Sequence, residues 1–462
     1  MLCSYRSREE ELLAACNFND PQRVQHLLAD GVEPDVADER RGDSALIIAA
    51  KNCHWEVVRL LLQRGCQVTG VNDRKRNALM YASSGGDYES VVRLLGAGSH
   101  INGQDIDGNT ALMLACRKGH LKVIDTLLSS TSRLDHATGV TGDEEKCDIN
   151  AQNKWGQTAL HDAAKAGHVA IVAMLVFHGG AVDAQDRWLN APLMYATLYD
   201  HANCVAFLLQ SHCSISVANK GHRTALHTAA EKGHRGLVNM LVTAHAPLDV
   251  RDADGNTPLL LAAINQHKEI VRTLIQSGSD VRLTGSLGKS VLHYACSSGF
   301  VDVVHDVTTM VDDDDLDRSD VNGSTPLALA VQAGHVIIVR HLVARNCEVR
   351  GRVCRTAISE LSLLAVALRD GFVDLVPVLL SAGSDVGCFR TLQALHLVSP
   401  VITRNDAVLR MLWSHMNNTR SLEFHSRVIV RQCLGRNIRN KIQQLPIPQT
   451  LREYVLLTEE LQ

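Results

Sequence analysis

Twenty-two histidines and thirteen cysteines are the residues of this 462-residue chain that could do chemistry in quantity. Metal binding needs several of them at set spacings, because a tetrahedral site takes its ligands from short, fixed turns. The sequence has no Cys-x-x-Cys pair and no His-Glu-x-x-His. Gly285-Ser286-Leu287-Gly288-Lys289-Ser290 ends like a phosphate loop, but the first glycine that such a loop requires falls at Leu283. Asp312, Asp313, Asp314 and Asp315, with Asp317 and Asp320, offer carboxylates for calcium. They lack the alternating spacing and central glycine of an EF-hand loop, so the run reads as a solvated acidic turn. No Gly-x-Ser-x-Gly elbow and no kinase signature set occurs. The expectation is a protein that is not an enzyme and that holds no cofactor and no metal.

The elements that position these residues show themselves as a repeat. A four-residue phrase recurs as Ser44-Ala45-Leu46-Ile47, Asn77-Ala78-Leu79-Met80, Thr110-Ala111-Leu112-Met113 and Thr158-Ala159-Leu160-His161. It continues as Ala191-Pro192-Leu193-Met194, Thr224-Ala225-Leu226-His227, Thr257-Pro258-Leu259-Leu260, Ser290-Val291-Leu292-His293 and Thr325-Pro326-Leu327-Ala328. Six of the eight steps between them are 33 residues. Weaker echoes stand at Ser362-Leu363-Leu364-Ala365 and Ala394-Leu395-His396, and a degenerate first unit surrounds Ala14-Ala15-Cys16 and Leu27-Leu28.

Each slot has a physical job. Thr or Ser caps a helix with its side-chain oxygen, and Pro next to it suits the first helical turn. Paired alanines such as Ala49-Ala50 and Ala163-Ala164 let neighbouring helices approach closely. Gly-His, as at Gly119-His120 and Gly167-His168, breaks between helices, and a Val-Val-x-Leu-Leu-Leu face follows, clearest at Val57-Val58 and Leu60-Leu61-Leu62. Gly65 and Gly278 end that face, since glycine reaches the left-handed conformation cheaply. A polar turn such as Asp105-Ile106-Asp107-Gly108 then projects as a finger. A single unit cannot bury its apolar face, so the units must stack.

The pattern resembles the ankyrin family over residues 8–412, with about twelve repeats of two helices and a β-turn finger. The resemblance implies an all-α solenoid, and it gives most histidines a structural place, knitting loops and neighbouring units. Between Thr110 and Thr158 the step lengthens to 48, which places an insertion near 129–147, read as a surface loop.

After Trp413-Ser414-His415-Met416 the repeat grammar stops. Leu422, Ser426 and Val430 share one face of a short helix, widened by Ile429, Cys433 and Leu434, with Gly435 placed to end it. Pro446 and Pro448 then hold an extended elbow before a final helix from about Gln449. In its order of motifs this segment, 419–458, resembles the SOCS box. The elongin-binding motif of that family falls on Ser421, Leu422, Ser426 and Val430, with its Arg-x-x-Leu-Gly on Arg431, Leu434 and Gly435. Its Leu-Pro-x-Pro cullin motif falls on Leu445, Pro446, Ile447 and Pro448, and its ending on Leu451-Arg452-Glu453-Tyr454-Val455-Leu456. Ser426 departs from the family, replacing the usual Cys with a hydroxyl that must find a partner when buried.

Ankyrin repeats followed by a SOCS box is the architecture of the ankyrin repeat and SOCS box proteins. The resemblance implies the substrate-recognition subunit of an elongin–cullin–SOCS-box ubiquitin ligase. Its partners would be elongin B/C and a cullin of the cullin five type with its RING subunit. The alternative is a plain ankyrin scaffold whose C-terminal segment only caps the solenoid.

Trp155 and Trp188 are 33 residues apart and therefore occupy one finger slot on adjacent repeats, flanked by Lys154 and Arg187, with Tyr199 nearby. Exposed Trp, Tyr and Arg have the composition of an interaction hot spot. The competing expectation is that the rings pack beneath the 129–147 insertion.

Composition bounds the rest. A net charge of −4 gives no field for nucleic acid or an anionic membrane. No apolar stretch approaches a bilayer span, and Met1-Leu2-Cys3-Ser4-Tyr5-Arg6 carries no secretory h-region. Leu2 stands where myristoylation requires Gly, leaving Cys3 as a candidate for acylation. Scattered single cysteines read as reduced thiols, so a cytoplasmic or nuclear protein is expected.

Overall fold

The computed structural model describes residues 8–133, 146–345, 347–349, 352–354, 360–384, 386–394 and 396–417. They form the short helix pairs of ankyrin-repeat solenoid units, beginning in the chain with Arg8–Asn17 and Pro21–Ala29 and closing with Asp406–Asn417. Two compact units are distinguished, Met1–Ala229 with Gly236–Ala246 and Ala230–Arg235 with Pro247–Gln462. Within each, first helices pack on first helices of the next repeat and second helices on second helices.

The caps are where the phrase places them. The side chains of Ser44, Asn77 and Thr110 accept from the amides of Ile47, Met80 and Met113 at 3.3, 2.9 and 3.3 Å. In the second unit Thr257 and Thr325 accept from Leu260 and Ala328 at 3.3 and 3.2 Å, each followed by Pro in the first helical turn. Such a cap contributes about 1 kcal/mol. Ala49, Ala50, Ala163 and Ala164 are fully buried between helices. A methyl group is all that fits there, and larger side chains would overpack by about 1–3 kcal/mol. In Trp55–Gln63 the buried side is Val57, Val58 and Leu61.

Histidine fills two structural slots. In the first, His161, His227 and His293 accept through Nδ1 from the backbone amides of Thr158, Thr224 and Ser290 at 3.1, 3.1 and 3.2 Å. In the second, ring nitrogens of His120 and His201 meet the carbonyls of Ser84 and Lys165, at 3.0 and 3.1 Å, while those of His267 and His335 meet Glu231 and Ser297, at 3.0 and 3.3 Å. Each bond ties one repeat to the one before it. The ring also needs space: a Cβ on left-handed Gly167 would lie 2.6 Å from the His201 ring.

Within each unit a backbone ladder joins the fingers, and an Asn or Asp, buried in all but Asn219, braces most of them. Asn72, Asp105, Asn153, Asp186, Asn219, Asp252 and Asp320 each accept through Oδ1 from the amides two and four residues on, at 2.8–3.1 Å. Asn and Asp alternate along the first unit, which keeps buried carboxylates out of adjacent fingers. Within that unit Ile106, Lys154, Arg187 and Lys220 donate their amides to Arg74, Asp107, Trp155 and Trp188 at 2.8–2.9 Å.

Three sequence expectations change. The phrase at Ala394 does not open a helix: Gly387–Ala394 is already the inner helix of that repeat. The reason is a missing finger, since few residues separate it from the preceding helix Leu375–Ser381. The acidic run is not simply solvated. Asp313–Leu316 is a one-turn helix that buries Leu316, and Asp315 lies 3.4 Å from both Arg282 and Arg318. An antiparallel pair of short strands, Arg352–Cys354 and Glu360–Ser362, stands immediately before Leu363–Asp370, where other repeats place a finger.

Candidate functional site

Two fingers and three inner helices of the first unit, Ala111–Lys118, Ala159–Ala166 and Pro192–Leu198, enclose a cleft of about 660 Å³ lined by Arg117, Trp155, Gln157, Asp162, Lys165, Ala166, Trp188 and Tyr195. The tryptophans occupy equivalent positions: Trp155 donates its amide to Asn153 Oδ1 and Trp188 to Asp186 Oδ1, both at 2.9 Å. The finger backbone is thereby fixed from below, and both side chains are left 39% and 49% exposed. The rings are therefore not buried, although most of the 129–147 insertion lies outside the described residues.

Polar groups organise the floor. Arg117 grips Asp162 through two bonds, Nε to Oδ1 at 3.2 Å and a terminal nitrogen to Oδ2 at 3.0 Å. Burial nonetheless raises the Asp162 carboxyl above the usual range, with Arg117 opposing. Tyr195 donates to Asp186 Oδ2 at 2.7 Å and accepts from Gln157 at 3.0 Å. Burial, reinforced by Asp186, pushes the Tyr195 phenol up to about 12, so it stays neutral. Lys165 holds its ammonium 6.0 Å from the Tyr195 ring and 5.8 Å from the Tyr199 ring, which joins Tyr199 to the cluster. The arrangement holds aromatic walls and cations in fixed positions, the equipment of recognition.

Of the residues singled out from sequence, Trp155 and Trp188 share the cleft and Tyr199 adjoins it through Lys165. Lys154 and Arg187 are exposed on the same fingers but do not line the cleft. Tyr195, Lys165, Arg117 and Asp162 were missed. Tyr195 had a signal, since it lies four residues before Tyr199 and so on the same helical face. Leu189 was missed too: beside Trp188, it is 40% exposed and sits at a left-handed φ of 61°.

Cys16, Cys53, Cys66, Cys116, Cys147, Cys204, Cys213, Cys296, Cys347 and Cys388 are free thiols. Burial pushes Cys16 and Cys66 up to about 12, which makes them poor nucleophiles. No three His, Cys, Asp or Glu side chains among the described residues are grouped to hold a metal ion.

The family model described as Ankyrin repeats (3 copies) matches residues 12–105, 139–219, 211–285 and 277–353, and the Ankyrin repeat model matches 107–137. A SOCS box model matches residues 418–456. The chain is an ankyrin repeat and SOCS box protein. No curated protein matches it. Like others of this architecture, this ankyrin repeat and SOCS box protein has the parts of a substrate receptor: repeats that hold a protein, and a box whose partners are elongin B/C and a cullin. These two modules are typical of non-catalytic adaptors. Ser421, Leu422, Ser426, Val430 and Leu434, and Leu445, Pro446, Ile447 and Pro448, fall within the matched box and outside the described residues. No helix among the described residues is long and apolar enough to cross a membrane.

Proposed function

We propose that this chain is the substrate-recognition subunit of an elongin–cullin–SOCS-box ubiquitin ligase, working with a cullin of the cullin five type and its RING subunit in the cytoplasm or nucleus. The observation that carries the reading is the SOCS box match at 418–456 directly after the repeat array. In this reading residues 8–412 form the ankyrin domain and 419–458 the box. Leu422 and Val430 anchor the box helix in a groove on elongin B/C, with Ser421, Ser426 and Leu434 beside them. Leu445, Pro446, Ile447 and Pro448 select the cullin. The substrate is held by Trp155, Trp188, Tyr199, Lys154 and Arg187, and the exposure of both tryptophans above a preformed cleft supports this. The chain contributes proximity, and the bond-forming residues belong to the other subunits.

Co-expression with elongin B, elongin C and the cullin–RING pair, followed by size-exclusion chromatography, tests the assembly. Co-elution that disappears on truncation before Thr419 is expected. A folded full-length chain that elutes alone would favour the scaffold in which Ser426 disables the box.

A further inference from the structure

The first unit carries a second cleft, which the receptor reading does not use. It measures about 510 Å³ and is lined by Arg40, Arg41, Asp43, Lys51, Asn72, Asp73, Arg74, Arg76 and Tyr81. Five cations thus face two carboxylates. Asp43 is buried, 4% exposed, and is already engaged by Lys51 at 3.2 Å and by Asn72 at 2.6 Å. Arg76 is engaged from the other side by the buried Asp105, at 2.8 Å. The guanidinium groups of Arg40, Arg41 and Arg74 are exposed, with no ion pair among the described residues. Of the two lining carboxylates Asp73 is the exposed one, and Glu39, next to Arg40 in the chain, is exposed as well.

The floor is Tyr81. Its ring lies 5.5 Å from the Lys51 ammonium and 5.7 Å from the Arg76 guanidinium. Its hydroxyl accepts from Asn72 at 3.0 Å, so its own proton is left to donate. Arg41 and Arg74 come from adjacent fingers that the backbone bond from Asp73 to Arg41, 3.1 Å, holds together. Three unpaired guanidinium groups and a phenol donor over a concave floor match a tetrahedral dianion better than a single carboxylate. Guanidinium forks grip phosphate oxygens through paired, charge-assisted bonds. The concave shape admits a side chain that projects from a peptide, whereas an RNA backbone needs a track of cations.

We propose that this cleft binds a phosphorylated serine or threonine in a segment of a partner protein. The ligand class stands on the cleft alone and does not depend on elongin binding, so failure of either idea is read separately. The probe is a fluorescent eight-residue peptide with one central phosphoserine, compared with its unphosphorylated form, a form with Glu in place of phosphoserine, and an RNA octamer. Anisotropy titrations of the full chain should show the phosphopeptide binding at least about tenfold more tightly than the serine peptide, and more weakly as salt rises. R41E/R74E should abolish that preference, and R41Q/R74Q should reduce it. Helical circular dichroism spectra of both variants that match the parent's would show that they remain folded. Equal binding of the phosphorylated and serine peptides, equal binding of the Glu peptide, an unchanged preference in R41E/R74E, or tighter binding of the RNA would overturn the proposal.

Discussion

The fingers of the two units share a backbone and differ in what they carry. In both, a buried Asn or Asp accepts two amides, as Asn153 does in the first unit and Asp252 in the second. In both, the third tip residue is left-handed. The second unit fills that slot with Gly255, Gly288 and Gly323. The first unit also uses Gly108 and Gly156, but places Lys75, Leu189 and His222 there at φ of 55°, 61° and 55°. A side chain in that conformation costs roughly 1 kcal/mol or more. The exposed tips differ likewise: Arg40, Arg41, Arg74, Trp155 and Trp188 in one unit, Ala253, Asp254, Ser286, Leu287, Val321 and Asn322 in the other. Buried slots are dictated by folding and repeat. Tip slots are free to vary, and the first unit uses that freedom for cations and aromatic rings.

The comparison is sharpened first by acidification, which should strike both units. Burial lowers His161 in the first and takes His293 in the second down to about 4. The neutral ring is the folded form. As pH falls through about 6.5 the unfolded chain takes a proton that the folded His293 refuses until about 4. Its stabilisation is therefore full above 6.5 and is lost between 6.5 and 4, amounting to about 3 kcal/mol. His293→Gln preserves a side-chain acceptor for the Ser290 cap and should flatten the pH dependence of amide-exchange protection in Val291–Ser298. An unchanged pH slope would remove His293 as its source.

A smaller effect tests the shared brace. Asp186→Ala and Asp252→Ala each strip two amides of their acceptor and should cost about 2 kcal/mol in either unit, read from urea denaturation. A large loss in one unit and none in the other would break the claim that the scaffold is common. Smaller still are the tip exchanges. Gly288→Leu should cost about 1–2 kcal/mol, whereas Leu189→Gly should leave stability within about 1 kcal/mol while weakening substrate capture. Equal costs for the two exchanges would mean that Leu189 is there for stability.

Much of this was legible in the sequence because what is buried must repeat. Thr110 caps, Ala163 packs and Gly167 yields to a ring whatever the repeat binds. The finger slot of Trp155 and Trp188 followed from the same period. The cleft beneath them did not, because Arg117, Asp162 with Lys165, and Tyr195 stand on three successive inner helices and meet only when the repeats stack, which spacing along a single phrase does not reveal. The repeat at Ala394 was misplaced for a related reason. Its finger is missing, so the period shortens while the helix packing is preserved.

The central claim is that the box joins the ligase while the fingers hold the substrate, each independently of the other. Titration of elongin B/C into the full chain, its Leu422→Ala variant and a Trp155→Ala/Trp188→Ala variant tests it most directly. The account predicts that Leu422→Ala loses binding with an unchanged helical circular dichroism spectrum, while the tryptophan variant binds as the parent does. Retained binding by Leu422→Ala, or lost binding in the tryptophan variant, would contradict it.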